Sequence, residues 1–147
     1  MIEKVDGPNH IKVVEEFGYE MYLHCGAIRK VLLAYQSPSF IEEYVKKIIE
    51  HDHAFPRVDA GDLRDELKRI RQSGYAITYG EYVNDAVGIG APVFNSEGEL
   101  AGSIGIIAPT IRLNSEELLK VQLEYVQKFA ADLSRDIGYS PLFSSRA

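Results

Sequence analysis

The sequence predicts an α+β domain, an antiparallel sheet with helices packed on it, ending in a long C-terminal helix. Three observations carry that prediction. Apolar residues recur at helical spacing between residues 24 and 73. The period switches to two between residues 75 and 107, where the connections are too short for crossover helices, so neighbouring strands run antiparallel. A stripe with alternating spacings of four and three then returns in Leu119, Leu123, Val126, Ala130, Leu133 and Ile137.

The elements follow in order. Ile2 to Val5 and residues 11–17 read as β runs, separated by the turn cluster Asp6-Gly7-Pro8-Asn9 and closed by Gly18. His24 to Tyr35 is a helix with Ile28, Val31, Leu32 and Tyr35 on one stripe. Ser37-Pro38 supplies an N-cap and a first-turn proline for a second helix to about His51, with Ile41, Val45 and Ile48 inward beside Phe40 and Tyr44. Residues 52–61 form a loop. Asp62 then caps a third helix with Leu63, Leu67 and Ile70 inward, and Gly74 ends it. Residues 75–83, 86–94 and 100–107 are strands, and Asn95-Ser96-Glu97-Gly98 is the hairpin turn between the last two. Pro109 ends the third. Asn114-Ser115-Glu116-Glu117 opens the last helix with a capping box, and Gly138 stops it.

Composition narrows the function classes. A chain of 147 residues, 46% hydrophobic and 26% charged, fits a single globular domain. It buries roughly 68–70% of its unfolded surface without a disulfide or metal staple. The net charge of −6 argues against this chain gripping nucleic acid unaided. No stretch approaches the roughly 20 apolar residues of a membrane span, and residues 1–10 lack the regions of a signal peptide. The one cysteine, Cys25, excludes an internal disulfide and fits a reducing, cytoplasmic compartment.

The hairpin strands carry the main functional signal. Val87, Ile89, Ala91 and Val93 share one face of the first, and Ala86, Gly88, Gly90, Pro92 and Phe94 the other. In the second, Leu100, Gly102, Ile104 and Ile106 oppose Ala101, Ser103, Gly105 and Ile107. Faces this poor in bulk are either the floor of a small-molecule pocket or the bed of a tightly packed helix. At the start of the 24–35 helix, backbone N–H groups of Gly26, Ala27 and Ile28 offer an anion site without a basic side chain. Elsewhere the bland reading holds. Cys25 beside His24 reads as a small buried hydrophobe. His51-Asp52-His53 falls short of a zinc ligand set, so no metal is expected. Glu81 and Asp85 read as a charged strand end. Arg64, Lys68, Arg69 and Arg71 alternate with Asp65 and Glu66 as a solvated face. No Walker loop, G-x-G-x-x-G, G-x-S-x-G or C-x-x-C occurs, so neither catalysis nor a cofactor is expected.

The order of segments resembles the C-terminal effector-binding domain of IclR-type transcriptional regulators. The likeness lies in IEKVDGPNHIKVVEEFGYEMYLHCGAIRKVLLAY (2–35), in LRDELKRIRQSGYAITYGEYVNDAVGIGAPVFNSEGELAGSIGIIAPTIR (63–112) and in the closing LSRDIGY (133–139). The resemblance implies a GAF-like fold, a homodimer or homotetramer, and a small effector, often an organic acid. Binding would alter how an attached winged-helix domain engages DNA. Carried over position by position, the effector site falls at Val13, Ala27, Ile28, Thr78, Ala86, Gly88, Gly105 and Ile107. On this reading residues 1–139 form the effector-binding and oligomerisation domain, with its DNA-binding domain absent from this chain, and 140–147 form a tail. DNA is then a partner only through that other domain, and no membrane partner is expected. Arg29 stands where the family has a glycine, and Gly105 and Ile107 replace small polar residues, which implies a more apolar pocket. The alternative is a structural dimerisation module with no ligand.

Overall fold

A computed structural model of the protein describes residues 1–14, 18, 20–51 and 56–141. Its centre is a three-stranded antiparallel sheet in the order β1-β2-β3: β1 Ala76–Tyr79, β2 Ala86–Phe94 and β3 Leu100–Pro109. The hairpin between β2 and β3 closes as its turn residues require. Gly98 takes φ 78°, and the Asn95 side chain accepts from the N–H groups of Glu97 (2.9 Å) and Glu99 (3.0 Å). Pro92 sits inside β2, but β1 pairs only with residues 87–90. At Pro92 one edge of β2 is therefore unpaired, the setting in which a strand tolerates proline.

The alternation read in the sequence separates the two faces. Ile89, Ala91 and Val93 pack with Val126 and Ala130 of the long helix α4 (Glu116–Asp136). The opposite, small-residue face lies against α1 (Ala27–Ala34). Behind α1 stands α3 (Ala60–Ser73), whose Leu63, Leu67 and Ile70 join Val31, Leu33 and Ala34 in a second core cluster. The second helix, α2 (Pro38–Tyr44), runs into a π-helical turn at Val45–Ile49 and adds Val45 to that cluster.

Caps explain most boundaries. The Ser37 hydroxyl accepts from Phe40 N–H (3.2 Å), as predicted, and the Ser115 hydroxyl from Leu118 N–H (3.2 Å), which puts Leu118 and not an acid at the third helical position, so the expected capping box does not form. The third helix starts earlier than expected. Its cap is Asp59, whose carboxylate accepts from Gly61 (2.7 Å) and Asp62 (3.1 Å), so Asp62 lies in the first turn. The first helix starts later than expected, because Gly26 holds φ 87° and ψ 154°, which no helical residue adopts; His24 and Cys25 precede it. Gly80, at φ 64°, ends β1 well short of residue 83.

No strand forms in residues 1–14, contrary to expectation, and residues 15–17 of the second β run lie outside the described residues. Ile2 is 99% exposed and Val5 95%, so this segment buries no apolar face. An alternating pattern becomes a strand only where a neighbouring edge pairs with it. Phe40, Leu133 and Ile137 are also more exposed than their stripes suggest. Near its C-terminus α4 is held instead by Ser134, whose hydroxyl accepts from Phe94 N–H at 3.0 Å and donates to the Ala130 carbonyl at 2.7 Å.

Candidate functional site

The N-terminus of α1 has no capping side chain of its own, since its cap position is Gly26. Two residues from across the fold supply what is missing. The Thr78 hydroxyl on β1 accepts from Ala27 N–H at 3.0 Å, and the Glu81 carboxylate accepts from Gly26 N–H at 3.0 Å. Glu81 reaches this point because the chain turns at Gly80 and runs as a loop to Asp85 (φ 58°). The loop is pinned by Gly80 N–H donating to the Ala86 carbonyl (2.8 Å) and Thr110 N–H to the Asp85 carbonyl (2.8 Å).

The other oxygen of Glu81 meets the Lys30 ammonium at 2.5 Å, and both carboxylate oxygens of Glu66 accept from the same ammonium at 2.8 and 2.9 Å. Lys30 is 1% exposed, so this cation lies inside the protein between two partly exposed carboxylates. The expected anion site is therefore already filled by an internal carboxylate and a hydroxyl. The Thr78 hydroxyl keeps its own proton to donate, and Ile28 N–H, in the first turn, has no acceptor within the helix.

Between the 80–83 loop, the start of α1 and the strands lies a cleft with about 20 Å³ of free interior, room for roughly one water. Six of the eight residues expected to hold an effector line it: Ala27, Ile28, Thr78, Ala86, Gly88 and Ile107. Gly105 does not, because Ile28 and Gly90 press on it. Val13 is half-buried in the N-terminal segment and is not among the lining residues. The small-residue stripe is thus divided. Gly90 and Gly105 bed the helix, with Ala27 backbone atoms about 3 Å from any Cβ placed on Gly90, while Ala86 and Gly88 face the cleft.

Sequence reading missed three contributors. Arg29 lines the cleft, donates to the Cys25 carbonyl (3.2 Å) and lies 4.9 Å from the centroid of the Tyr82 ring. Glu81, taken as a charged strand end, is a cap and ion-pair partner. Lys30 was legible: it stands with Ala27, Val31 and Ala34 at spacings of three, four and seven, on the buried side of α1.

His24 is fully buried beside this region. Its Nε2 lies 2.9 Å from the Pro56 carbonyl and its Nδ1 2.8 Å from the Tyr44 hydroxyl. A carbonyl only accepts, so Nε2 donates to Pro56, and because burial disfavours the charged ring, Nδ1 is left to accept from the Tyr44 hydroxyl. Burial pushes its pKa below the ordinary 6.5. The unfolded chain then takes up the proton first. This contribution to stability is full above about pH 6.5 and is lost as pH falls from there through the folded value. The expected result is a Tm that drops between pH 7 and pH 5 in the parent and drops less in His24→Gln; equal slopes would refute the assignment. Among the described residues no group of three or more His, Cys, Asp or Glu side chains is placed to hold a metal, and Asp52 and His53 lie outside them. Among the described residues no helix is long and apolar enough to cross a membrane.

Comparison with known proteins identifies the family of this fold. Residues 1–135 match the family model described as the C-terminal domain of bacterial IclR transcriptional regulators. The chain is 29% identical over 145 residues to the HTH-type transcriptional regulator KipR of Bacillus subtilis, covering 95% of this chain and 56% of that protein. It is 30% identical over 148 residues to an uncharacterised HTH-type regulator, RhmR, of Escherichia coli, covering 99% and 56%. The chain thus spans about half the length of these curated relatives. Among solved structures, Thermotoga maritima IclR aligns with TM-score 0.80 at 25% identity, over 93% of this chain and 56% of that one. The C-terminal domain of E. coli KdgR aligns with TM-score 0.66 at 27% identity, over 80% and 71%. The chain belongs to the IclR family of bacterial transcriptional regulators, and its fold is that of the family's C-terminal domain.

Proposed function

We propose that this domain binds a small organic acid in the cleft at the start of α1, and that binding alters DNA engagement by an attached winged-helix domain. The observation that carries the reading is the convergence of Ala27, Ile28, Thr78, Ala86, Gly88 and Ile107 on one cleft that also holds the Arg29 guanidinium. Arg29, the Thr78 hydroxyl and Ile28 N–H are the groups that would meet a carboxylate. Ala86, Gly88 and Ile107 would bound its carbon chain. A cleft with room for one water cannot take even a two-carbon acid, so entry requires the 80–83 loop to move outward. Any signal depends on the acid binding one arrangement of the protein better than another. The role proposed is binding, within a regulator of the cytoplasmic compartment that works as a homodimer or homotetramer.

A thermal-shift screen with two- to four-carbon mono- and dicarboxylates tests this. An acid at 100 times its Kd adds about 2.7 kcal/mol, a rise of several degrees in Tm for a domain of this size. Arg29→Ala is expected to remove most of that rise while the protein stays folded. A rise unchanged in Arg29→Ala would count against the site, and no rise with any acid would count against the function. That last result would favour a second reading, a ligand-free dimerisation module, which draws its support from the close packing of α1 on Gly90 and Gly105.

A further inference from the structure

We propose that the segment 80–85 is a gate over the cleft, latched by the Glu81 carboxylate, and that Glu66 is the second partner of Lys30 that lets the latch open. The two ends of the segment are fixed to the sheet. Gly80 (φ 64°) and Asp85 (φ 58°) hold left-handed backbone, where a residue other than glycine is uncommon and has to be held by its surroundings. Asp85 is so held: its carbonyl accepts from both the N–H (2.8 Å) and the hydroxyl (3.0 Å) of Thr110. Between these anchors Val83 and Asn84 are exposed, so little apolar surface holds the middle of the segment down. It is joined to the start of α1 by the Glu81 carboxylate on Gly26 N–H and Lys30, by the Tyr82 ring under the Arg29 guanidinium, and by the Glu81 carbonyl 3.5 Å from the Cys25 thiol.

Withdrawing Glu81 removes a counter-charge from an ammonium that is 1% exposed, a step that strands a buried cation when the carboxylate is its sole partner. Lys30 has a second. Both oxygens of Glu66 accept from it, and Glu66 stands on α3, which is anchored in the core by Leu63, Leu67 and Ile70 and does not travel with the segment. When the segment swings out, the cation keeps Glu66. Glu81 passes into the water that its 22% exposure already gives it, and Gly26 N–H takes the single water for which the cleft has room. The two carboxylates therefore act on the gate in opposite senses: Glu81 holds it shut, and Glu66 lowers the cost of opening it. That the gate admits an acid rests on the binding function proposed above, whereas its opening is measured with no acid present.

Cys25 supplies the reporter. It is fully buried, it borders the segment, and it is the chain's one thiol, so its rate of reaction with a small aromatic disulfide in native buffer reads the opening. Glu81→Gln keeps an oxygen for Gly26 N–H but loses the charge, and is expected to react about tenfold faster than the parent. Glu66→Gln is expected to react at least about threefold more slowly, because opening then leaves the buried ammonium without a carboxylate. Loss of stability alone would speed both variants, so the opposed signs are the signature of the gate. Hydrogen exchange of residues 80–85, followed by mass spectrometry on the whole chain, should move in the same two directions. A Glu81→Gln rate equal to the parent's, or a Glu66→Gln rate at or above it, would overturn the proposal. A thermal-shift screen in which every acid fails, with these opposed rates intact, would remove the acid and leave the gate.

Discussion

Gly105→Ala is expected to destabilise the domain by at least about 3 kcal/mol, the upper end of what overpacking does in a core. A Cβ at this position would fall inside the van der Waals envelope of the Ile89 carbonyl oxygen, 2.6 Å from Ile28 Cγ1 and 3.1 Å from Gly90 Cα. Two of those neighbours are backbone atoms of β2, the strand paired with it, so relief requires β2 and β3 to separate. Ile28, the third, is held because its carbonyl accepts from the Ser103 hydroxyl at 2.9 Å. Against a total stability of roughly 5–15 kcal/mol, the loss is large. The same measurement ranks its neighbours. Gly90→Ala must push back the Ala27 and Ile28 backbone, about 3 Å from the new Cβ. Gly88→Ala meets Thr78 Oγ1 at 3.2 Å, Ala27 Cβ at 3.4 Å and Ala27 N at 3.7 Å, and should change stability by about 1 kcal/mol or less. Urea denaturation should therefore order the midpoints parent, Gly88→Ala, Gly90→Ala, Gly105→Ala. A Gly105→Ala protein as stable as the parent would mean that the β2 backbone and Ile28 do not crowd this position.

Lys30→Met should be nearly as damaging, for an electrostatic reason. The side chain is 1% exposed and is the cation between Glu66 and Glu81. Without it two carboxylates converge with no counter-charge, and Glu81 is repelled from the position where it caps Gly26. Removing one partner of a fully buried ion pair destabilises by about 3–5 kcal/mol. Here the carboxylates retain 22–28% exposure and can turn toward water, so about 2–3 kcal/mol is expected. The diagnostic is the second substitution. Lys30→Met with Glu66→Gln should recover part of the loss, because one of the two stranded charges is gone. Equal stability of the single and double variants would show that the loss is one of packing and not of charge.

Much of the site could be read from the sequence because its floor is made by strand alternation. Once the period of two is seen, Ala86, Gly88 and Ile107 follow as neighbours across two strands. Ala27 and Ile28 came from the free N–H groups of a helix start, Thr78 by likeness to the family, and all three meet that floor. What alternation could not say is how much of the small-residue face a helix occupies. Gly88 and Gly105 look equivalent in the sequence, yet one borders a cleft and the other lies beneath Ile28. That difference depends on where α1 crosses the sheet, a distance of a few ångströms set by packing.

Sequence alone determined most of the elements and their faces: three antiparallel strands, Ser37 as a cap, and an apolar side to each helix. These are local, since hydrophobic period and capping chemistry act over a few residues. Tertiary structure alone decided that the start of α1 is occupied. Glu81 lies 55 positions beyond Gly26 and Glu66 lies 36 beyond Lys30, separations over which no periodicity carries information. Burying the α1 stripe carries Lys30 out of water with it, and a buried ammonium is stable only beside carboxylates. The fold therefore brought two to it, and one of them took the helix terminus that the sequence had left open for a ligand.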